Sequence, residues 1–235
     1  MSGGAEQYFY APGLESGIYT FDTFESRHIR KVLRKRPGYT LWLTDGEGNL
    51  FEAVITAMDK QAVTAAVRNR QSFPRPSKRL HVYIAPPKLP ARFEWFLEKA
   101  VELGVWQITP VITRHTQAFK WKPERFEKIV ITALKQAKRV YKPVLRPPEK
   151  LERIVPPELP AYVALCEAEK YFNRAYVEES EAAVFIGPEG GFSPDEKELF
   201  SRNHIKPVRL SGARLRTETA GITAVCMFHA TVLME

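Results

Sequence analysis

The chain has 235 residues, of which 44% are hydrophobic and 26% are charged, and its formal net charge is +8. This length suffices for one or two domains whose cores need no disulfide or metal support. No apolar run reaches the roughly 18 residues of a membrane span, and no basic-then-apolar leader is present, so we expect a cytoplasmic protein without a membrane segment.

Cysteine and histidine usage gives no sign of a metal site. Cys166 and Cys226 each lie in an apolar segment and are expected to be buried, reduced thiols. They lack the paired spacing of a zinc site, and the five histidines are scattered without helical ligand spacing. We therefore predict that the protein binds no metal.

The positive charge is concentrated in two stretches. Residues 1–79 contain twelve basic residues against eight acidic ones, and residues 114–146 contain ten against two. Such a distribution favours binding to a polyanion such as RNA. A solvated basic helix face without a partner is the alternative that charge alone leaves open.

The first third of the chain combines one basic helix with β-structure, after a start at 1–5 that is expected to be flexible. In residues 27–36 the apolar Ile29, Val32 and Leu33 recur at helical spacing, which predicts a short helix with a basic outer face. Short β-type segments with glycine-rich turns follow and predict a small barrel. These segments are 40–43, 50–55 and 62–67, with a turn over 45–49.

A polar segment with two prolines, residues 68–77, predicts a linker. Beyond it, apolar strands alternate with helices, which predicts a mainly parallel α/β sheet. The last helix is apolar nearly all round, so we expect it to be buried on both sides, in part by a second subunit. The strands are predicted over 80–85, 107–112, 162–166, 182–186 and 208–210, and the helices over 93–104, 123–139 and 219–233.

Two glycine- and charge-bearing loops near the C-terminus carry most of the functional information. The first, with the sequence IGPEGGFS over 186–193, leads into a helix whose start has Ser193, Pro194 and Glu196 at the positions of a capping box. Glycines let the backbone approach a ligand closely, and a helix N-terminus attracts negative charge. The spacing matches neither the dinucleotide signature nor a phosphate loop, and a tight turn before a capped helix is the alternative.

The second loop has the sequence LSGARLRTETA over 210–220. Arg214 and Arg216 stand two residues apart, so in extended backbone their side chains share one side. Thr217 is a candidate cap for the last helix, and Glu218 lies in its first turn, where a carboxylate is favoured for structural reasons alone. Because Arg216 lies between an apolar strand and an apolar helix, it needs a partner, either an anionic ligand or a carboxylate.

These loops and several N-terminal motifs resemble those of the RsmE family of 16S rRNA (uridine-N3) methyltransferases, which belongs to the SPOUT class. The resemblance implies a PUA-like RNA-binding β-barrel over 1–70, a linker over 71–79, and an α/β SPOUT methyltransferase domain with a C-terminal trefoil knot over 80–235. It covers nearly the whole chain and rests on FYAP (9–12), HIRKVLR (28–34), DG (45–46), EKAVELGV (98–105), KQAKR (135–139), IGPEGGFS (186–193) and LRTETA (215–220).

The resemblance implies that the protein methylates N3 of a specific uridine in the 16S rRNA of the small ribosomal subunit, with S-adenosylmethionine as cofactor. N3 lies on the base-pairing edge, so the uridine must be unpaired or flipped out. The N3 proton must leave and the resulting negative charge must be stabilised. Glu189 is our first candidate base and Glu218 the second, while Arg216 is the candidate electrostatic group. Bracing of the loop, or a bond to Arg216, is the alternative role for Glu189.

The resemblance also implies a cofactor pocket formed by three loops, a basic RNA-binding surface, and a homodimer with the site near its interface. The residues assigned to the cofactor are Leu165, Cys166, Glu167, Ile186, Gly187, Gly190, Gly191, Leu210, Ser211, Leu215, Arg216 and Thr217. The residues assigned to RNA are Arg27, Arg30, Lys31, Arg34, Arg114, Lys135, Lys138 and Arg139.

The chain departs from the family pattern at a few positions. Ala137 stands where a serine is frequent, Val101 where a threonine is frequent and Ser211 where a glycine is frequent. None of these changes removes a reacting group, so we interpret them as tuning of RNA or cofactor contacts. Three alternatives stay open: a non-catalytic RNA-binding or ribosome-assembly factor, a SPOUT enzyme acting on another RNA atom such as a ribose 2′-hydroxyl, and a nucleotide-dependent oxidoreductase.

Overall fold

The structure is a computed structural model that describes residues 7–155, 157–175 and 180–232. It divides into two compact units. One contains the chain up to Arg75 together with Leu134–Lys142, and the other contains Pro76–Ala133 and the chain from Pro143 onward. The start that was expected to be flexible, at 1–5, and the predicted helix end at residue 233 lie outside the described residues.

Five strands form the sheet of the N-terminal unit: β1 Tyr8–Tyr10, β2 Ile18–Thr20, β3 Thr40–Thr44, β4 Asn49–Met58 and β5 Val63–Ser72. Their order is β1-β3-β4-β5-β2, with β1 and β3 parallel and the other pairs antiparallel. Alternate residues of β4, such as Phe51, Ala53 and Ile55, are buried and join Phe9 and Leu43 in one core. The predicted strands of this region are therefore present. The linker predicted over 68–77 was wrong for its first five residues, because β5 continues through Ser72 in pairing with β4.

The turn between β3 and β4 is the one that the sequence predicted. The Asp45 side chain accepts hydrogen bonds from the backbone N–H groups of Glu47 (2.7 Å) and Asn49 (3.1 Å). Gly48 has a φ of +99°, and a Cβ atom there would lie 2.3 Å from the Tyr141 hydroxyl oxygen. Both the backbone conformation and the close approach require glycine at this position.

Residues 134–142 belong to the N-terminal unit, whereas the sequence-based division placed them in the second domain. The backbone N–H of Gly48 donates to the Val140 carbonyl (2.9 Å), and that of Lys142 donates to the Gly46 carbonyl (2.8 Å). The Tyr141 hydroxyl donates to the Phe73 carbonyl (2.7 Å). The segment thus belongs to the N-terminal unit because its backbone bonds to the β3–β4 turn, although it follows the first strands of the second unit in sequence.

The basic helix predicted over 27–36 lies instead over 23–32: it consists of α1, Thr23–Arg27, continued by a π-helical turn over His28–Val32, and residues 33–36 are not helical. The backbone N–H of Leu33 donates to the carbonyl of His28, five residues back, at 3.0 Å. This i→i−5 bond makes a wider turn than that of an α-helix, and such turns are frequent at functional sites.

The wider turn changes which apolar residues of this segment are buried. Ile29 is fully buried in the core of the N-terminal unit, but the Val32 side chain is 66% exposed. The prediction that Val32 shares the buried face with Ile29 was therefore wrong, because the i, i+3 spacing assumed a regular α-helix.

Seven strands form the sheet of the second unit: β6 Arg79–Ile84, β7 Gln107–Ile112, β8 Val144–Leu145, β9 Glu149–Lys150, β10 Ala161–Ala164, β11 Glu181–Ile186 and β12 Lys206–Val208. The order is β12-β10-β11-β6-β7-β8, with β9 also paired to β7. Every pair is parallel, as the sequence predicted. The carboxyl ends of β10, β11 and β12 therefore lie at one edge of the sheet, beside that of β6.

Helices follow most of these strands: α2 Pro90–Leu103, α3 Pro123–Gln136, α4 Leu151–Ile154, α5 Phe172–Ala175, α6 Pro194–Arg202 and α7 Thr217–Val232. In α2, Pro90 occupies the first turn and Gly104, with a φ of +87°, ends the helix as predicted. None of the helices in the described residues is both long and apolar enough to span a membrane.

The last helix, α7, packs closely on α2 and β6 through Gly221. A Cβ atom at Gly221 would lie 2.5 Å from a ring carbon of Phe96 and 3.0 Å from the Ile84 side chain. The expectation that both cysteines are buried was wrong, since both are exposed. Cys166 follows the end of β10 in a loop, and Cys226 lies on a part of α7 that the core leaves uncovered.

Candidate cofactor and catalytic site

A cavity of about 610 Å³ opens where the loops after β10, β11 and β12 meet. All twelve residues that the family resemblance assigned to the cofactor line it, together with Glu189. The lining consists of Ala164, Leu165, Cys166, Glu167, Ile186, Gly187, Pro188, Glu189, Gly190, Gly191, Phe192, Lys197, Leu210, Ser211, Ala213, Arg214, Leu215, Arg216, Thr217 and Ala220. Open parallel sheets bind ligands at this edge, outside the carboxyl ends of their strands.

The loop after β11 is held in shape by its own residues. The backbone N–H of Gly191 donates to the Pro188 carbonyl (2.8 Å), and Gly191 has a φ of +74°. A Cβ atom at Gly187 would lie 3.0 Å from the ring of Phe192, which is buried against Phe200. The loop therefore combines a tight turn with a close packing contact that leaves little room for any side chain at position 187.

The predicted capping box at the start of α6 is present. The Ser193 hydroxyl accepts from the Glu196 backbone N–H (3.3 Å), and the Glu196 carboxylate accepts from the Ser193 backbone N–H (2.7 Å). Glu196 also accepts from the Arg114 backbone N–H (2.8 Å). A protein carboxylate thus occupies the N-terminus of α6, so this helix end is structurally satisfied without a ligand.

Two hydrogen bonds connect the loop after β12 to the loop after β11. The Thr217 hydroxyl donates to the Gly187 carbonyl (3.0 Å), and the Arg214 guanidinium donates to the Glu189 carbonyl (2.6 Å). The sequence suggested that Thr217 caps α7, but its hydroxyl bonds across to Gly187 from the first residue of that helix. These contacts fix the distance between the two loops and leave the cavity between them.

The loop after β10 forms the third wall. The Arg209 guanidinium donates twice to the Cys166 carbonyl, at 2.9 and 3.2 Å. Lys197 forms an ion pair with Glu167, and the hydrogen bond from Lys197 lowers the pKa of the Glu167 carboxyl. The charges of Lys197 and Glu167 thus compensate each other, whereas the Arg209 guanidinium is held by a neutral carbonyl and keeps its positive charge.

The two candidate bases lie in different environments. Glu189 is exposed at the cavity, and its carboxylate accepts a hydrogen bond from the Lys88 backbone N–H (3.2 Å). Glu218 is only 6% exposed and does not line the cavity. One of its oxygens lies 3.5 Å from Nε of Arg92, and the other, Oε2, is buried with no hydrogen bond to any described residue.

Arg216 is the cation of the cavity lining whose side chain has no bonded partner among the described residues. Its side chain is exposed in the cavity lining and forms no hydrogen bond or ion pair with the described residues. The Arg214 guanidinium donates to the backbone carbonyl of Glu189, Lys197 is paired with the Glu167 carboxylate, and Arg92 is paired with the Glu218 carboxylate. A guanidinium without a partner at the mouth of a cavity attracts an anionic group.

Comparison with known proteins identifies the family. A family model for an RNA methyltransferase domain matches residues 74–229, and one for an RNA methyltransferase PUA domain matches residues 22–68. The ribosomal RNA small subunit methyltransferase E of Mycobacterium bovis is 31% identical over 223 residues, which cover 88% of this chain and 84% of that protein. The chain belongs to the ribosomal RNA small subunit methyltransferase E family.

Solved structures of similar proteins agree with this assignment. A probable rRNA-methyltransferase from Porphyromonas gingivalis is 34% identical and superposes with a TM-score of 0.89, covering 97% of this chain and 99% of that one. A putative methyltransferase from Legionella pneumophila, solved with bound cofactor SAM, is 30% identical with a TM-score of 0.87, covering 97% and 98%. Family membership therefore extends over both units of the chain.

The N-terminal residues that the family resemblance assigned to RNA separate into two groups. Arg27, Lys31 and Arg34 are exposed, and their side chains make no hydrogen bond or ion pair within the described part of the chain. Arg30 instead donates to the carbonyl of Asp59. The first three are therefore available to a ligand, whereas Arg30 has a structural contact.

The later residues assigned to RNA separate in the same way. Lys138 is exposed, with a φ of +53°. Arg114 is exposed and lies 3.3 Å from the Asp195 carboxylate. Lys135 is only 14% exposed and pairs with Glu25. Burial lowers the pKa of the half-buried Arg139 guanidinium. Of these four, Lys138 and Arg114 are the more accessible.

The sequence did not indicate several residues that lie at the site. Lys88 and Arg92, which contact the two candidate bases, follow the carboxyl end of β6, and His115 follows that of β7. His115 Nδ1 lies 2.9 Å from the Gly191 carbonyl oxygen. The rule that ligand-binding loops follow parallel strands would have identified Lys88 and His115, whereas Arg92 lies in the first turn of α2 and gives no such signal. Within the described ranges, no group of three or more His, Cys, Asp or Glu side chains is placed to hold a metal ion.

Proposed function

We propose that this chain is an S-adenosylmethionine-dependent methyltransferase that modifies N3 of a uridine in the 16S rRNA of the small ribosomal subunit. The observation that carries the proposal is the glycine-lined cavity between three loops, with the unpaired Arg216 in its lining. Membership of the family and the SAM bound to the Legionella relative support the same assignment.

The cavity fits the proposed cofactor in size and lining. Its volume of about 610 Å³ lies within the usual range for small-molecule sites. Leu165, Ile186, Leu210 and Leu215 offer apolar surface for a flat heterocycle, and the loop backbones offer polar groups for its edges. When bound, S-adenosylmethionine supplies an activated methyl group on a sulfonium.

Two side chains of this site have the chemistry for the uridine. We assign to Glu189 the acceptance of the N3 proton, directly or through water, because its carboxylate is exposed at the cavity. We assign to Arg216 the stabilisation of the negative charge that develops on the pyrimidine. The burial of Glu218 and its ion pair with Arg92 favour a positioning role over that of a base.

We further propose the finer family features: a trefoil knot, closure of the N-terminal sheet into a PUA-like barrel, a homodimer, and location in the cytoplasm. The path of the chain supports the knot, since it leaves the edge strand β12 and returns as α7 to pack on β6 at the centre of the sheet. The incompletely covered surface of α7 around Cys226 and Met227 supports a subunit interface. Sedimentation of the purified protein at twice its chain mass tests the dimer.

The function is tested by incubating the protein with tritiated S-adenosylmethionine and small ribosomal subunits that lack their native N3-methyluridine. Label that co-elutes with N3-methyluridine after digestion to nucleosides supports the proposal. Label in another nucleoside refutes the target atom but keeps methyl transfer. Cofactor binding without label on any RNA, or no cofactor binding, favours the non-catalytic ribosome-assembly factor.

A further inference from the structure

The most exposed aromatic ring among the described residues belongs to Phe24, in the first turn of α1, whose side chain is 77% exposed. A single exposed apolar residue needs no explanation. Phe24, however, shares its segment with Val32, which is also exposed, and with the exposed Arg27 and Lys31. We call Phe24, Arg27, Lys31 and Val32 the α1 surface.

The remaining residues of the segment attach it firmly to the N-terminal unit. Ser26 and Ile29 are buried, and the Ser26 hydroxyl donates to the Phe21 carbonyl (3.1 Å). The Glu25 carboxylate pairs with Lys135, and Arg30 donates to the Asp59 carbonyl. The side chains of the α1 surface are thus exposed on a segment whose remaining residues attach it to the N-terminal unit.

The charge of this segment is almost entirely positive and uncompensated. Residues 23–36 contain six basic side chains and one carboxylate, Glu25, which is already occupied by Lys135. Neither Arg27 nor Lys31 has a hydrogen bond or ion pair within the described residues. Arg27 follows Phe24 by three residues, so the exposed ring and an unpaired cation are neighbours on the helix surface. Proteins bind single-stranded nucleic acid with such groups: an aromatic ring stacks on a base and cations contact phosphates.

Two features of the backbone add to this argument. The π-helical turn over 28–32 exposes Val32. Such turns are rare in proteins as a whole, and many of those known lie at functional sites. Arg34, just after it, adopts a left-handed conformation with a φ of +52°, which costs energy in a residue other than glycine. The chain thus accepts two local irregularities in a segment with six basic side chains.

We infer that the α1 surface binds an unpaired stretch of RNA, with Phe24 stacking on a base and Arg27 and Lys31 contacting the adjacent phosphates. The inference rests on the proposed function, since it names a contact of the same RNA substrate. Stacking on a base and contacts to phosphates contribute separately to RNA affinity, and they can be measured apart because stacking is nearly independent of salt whereas phosphate contacts are not.

The test measures binding of the full-length protein to a fluorescein-labelled, unstructured oligouridylate over a series of salt concentrations. Phe24→Ala is expected to weaken binding about 5-fold to 150-fold while leaving the salt slope unchanged. Phe24→Trp retains a stacking surface and is expected to bind at least as tightly as wild type. Arg27→Ala and Lys31→Ala should each lower the log–log salt slope by roughly 0.7.

Ile18→Ala is the matched control, because Ile18 is 68% exposed in the same unit but lies outside α1. It should bind RNA like wild type. Equal affinity of Phe24→Ala and wild type, or equal losses for Phe24→Ala and Phe24→Trp, overturns the inference. A change in sedimentation for Phe24→Ala in the absence of RNA overturns it too, because the ring would then contact a second copy of the chain.

Methyl transfer to small ribosomal subunits distinguishes failure of this inference from failure of the proposed function. If the wild type transfers label to uridine N3 and Phe24→Ala does so with an unchanged KM, the α1 surface is not part of the RNA site. If the wild type transfers no label, the proposed function fails irrespective of the variants. The expected result is a raised KM for subunits with a kcat close to wild type, since Phe24 contacts no reacting group.

Discussion

Replacing Gly221 by alanine has two opposite effects on the stability of the protein: a gain in helix propensity and a steric cost in the core. Alanine favours a helix interior over glycine by about 0.8–1.0 kcal/mol. The new Cβ, however, would lie 2.5 Å from Cε2 of Phe96 and 3.0 Å from Cδ1 of Ile84, and both neighbours are fully buried. Overpacking of this kind costs about 1–3 kcal/mol. We expect the steric term to prevail, with a net loss of up to about 2 kcal/mol.

The loss is measured by urea denaturation of Gly221→Ala and wild type, with Cys226→Ala as the control. Cys226 is exposed in the same helix, so its substitution should change stability by less than about 0.5 kcal/mol. Phe96→Leu should be less damaging in the Gly221→Ala background, because it makes room for the new methyl group. Gly221→Ala proving more stable than wild type, as helix propensity alone requires, would refute this account of the packing.

The same variant has a functional consequence. The first residue of α7, Thr217, donates to the Gly187 carbonyl, and Arg216 precedes it in the cavity lining. A displacement of α7 away from Phe96 therefore moves one wall of the cavity relative to another. Affinity for S-adenosylmethionine, measured by calorimetry, should fall in Gly221→Ala and stay at the wild-type value in Cys226→Ala.

Three further predictions concern charged groups. Glu189→Gln should lower the single-turnover methyl transfer rate by about 10²–10⁴-fold and spare cofactor affinity, and wild-type turnover would exclude Glu189 as the base. Arg92→Leu should destabilise the protein by about 1–3 kcal/mol in urea denaturation, because it leaves the buried Glu218 carboxylate unpaired. Adding Glu218→Gln to this variant should restore much of the lost stability, and additive losses in the double variant would contradict the pairing. The hydrogen bond from Arg79 lowers the pKa of the Glu181 carboxyl, so this group stabilises the protein above the ordinary glutamate pKa of about 4.3 and loses its contribution as the pH falls through the lowered value. Glu181→Gln should accordingly cost stability at pH 7 and progressively less in urea titrations below about pH 4, and a difference that does not change with pH would refute the linkage.

The parts of the fold that follow from local pattern were predictable from the sequence. Runs such as 182–186 are apolar throughout because a parallel strand in a layered sheet is buried on both faces. The capping box at Ser193 and the glycine helix end at 104 were read correctly, since each depends on residues only a few positions apart. The cavity loops were identified for the same reason, because glycines and charges at strand ends are visible without knowledge of the tertiary fold.

Features that depend on tertiary contacts were not predictable. Nothing in the spacing of 27–36 distinguishes an α-helix from a π-helical turn, so the exposure of Val32 was missed. The helix predicted to end at residue 139 ends at Gln136, and the backbone of Val140 and Lys142 pairs instead with the Gly46–Gly48 turn, almost one hundred residues away in sequence. The partner of each charge was equally hidden, because Lys135 and Glu25 are brought together only by the fold.

The distribution of charge around the cavity explains why Arg216 differs from its neighbour two residues earlier. The Arg214 guanidinium donates to a backbone carbonyl of the facing loop, so it holds that loop in place and is not bound to an anion. Glu218, two residues after Arg216, is the nearest carboxylate in sequence that could neutralise it, but Arg92 already engages Glu218 from α2. The contacts of Arg92, Arg214 and Lys197 thus leave Arg216 as the cation of the cavity lining without a bonded partner among the described residues. A site that must stabilise a transient negative charge requires a positive group kept unpaired until that charge develops, because a pre-formed ion pair would have to break first.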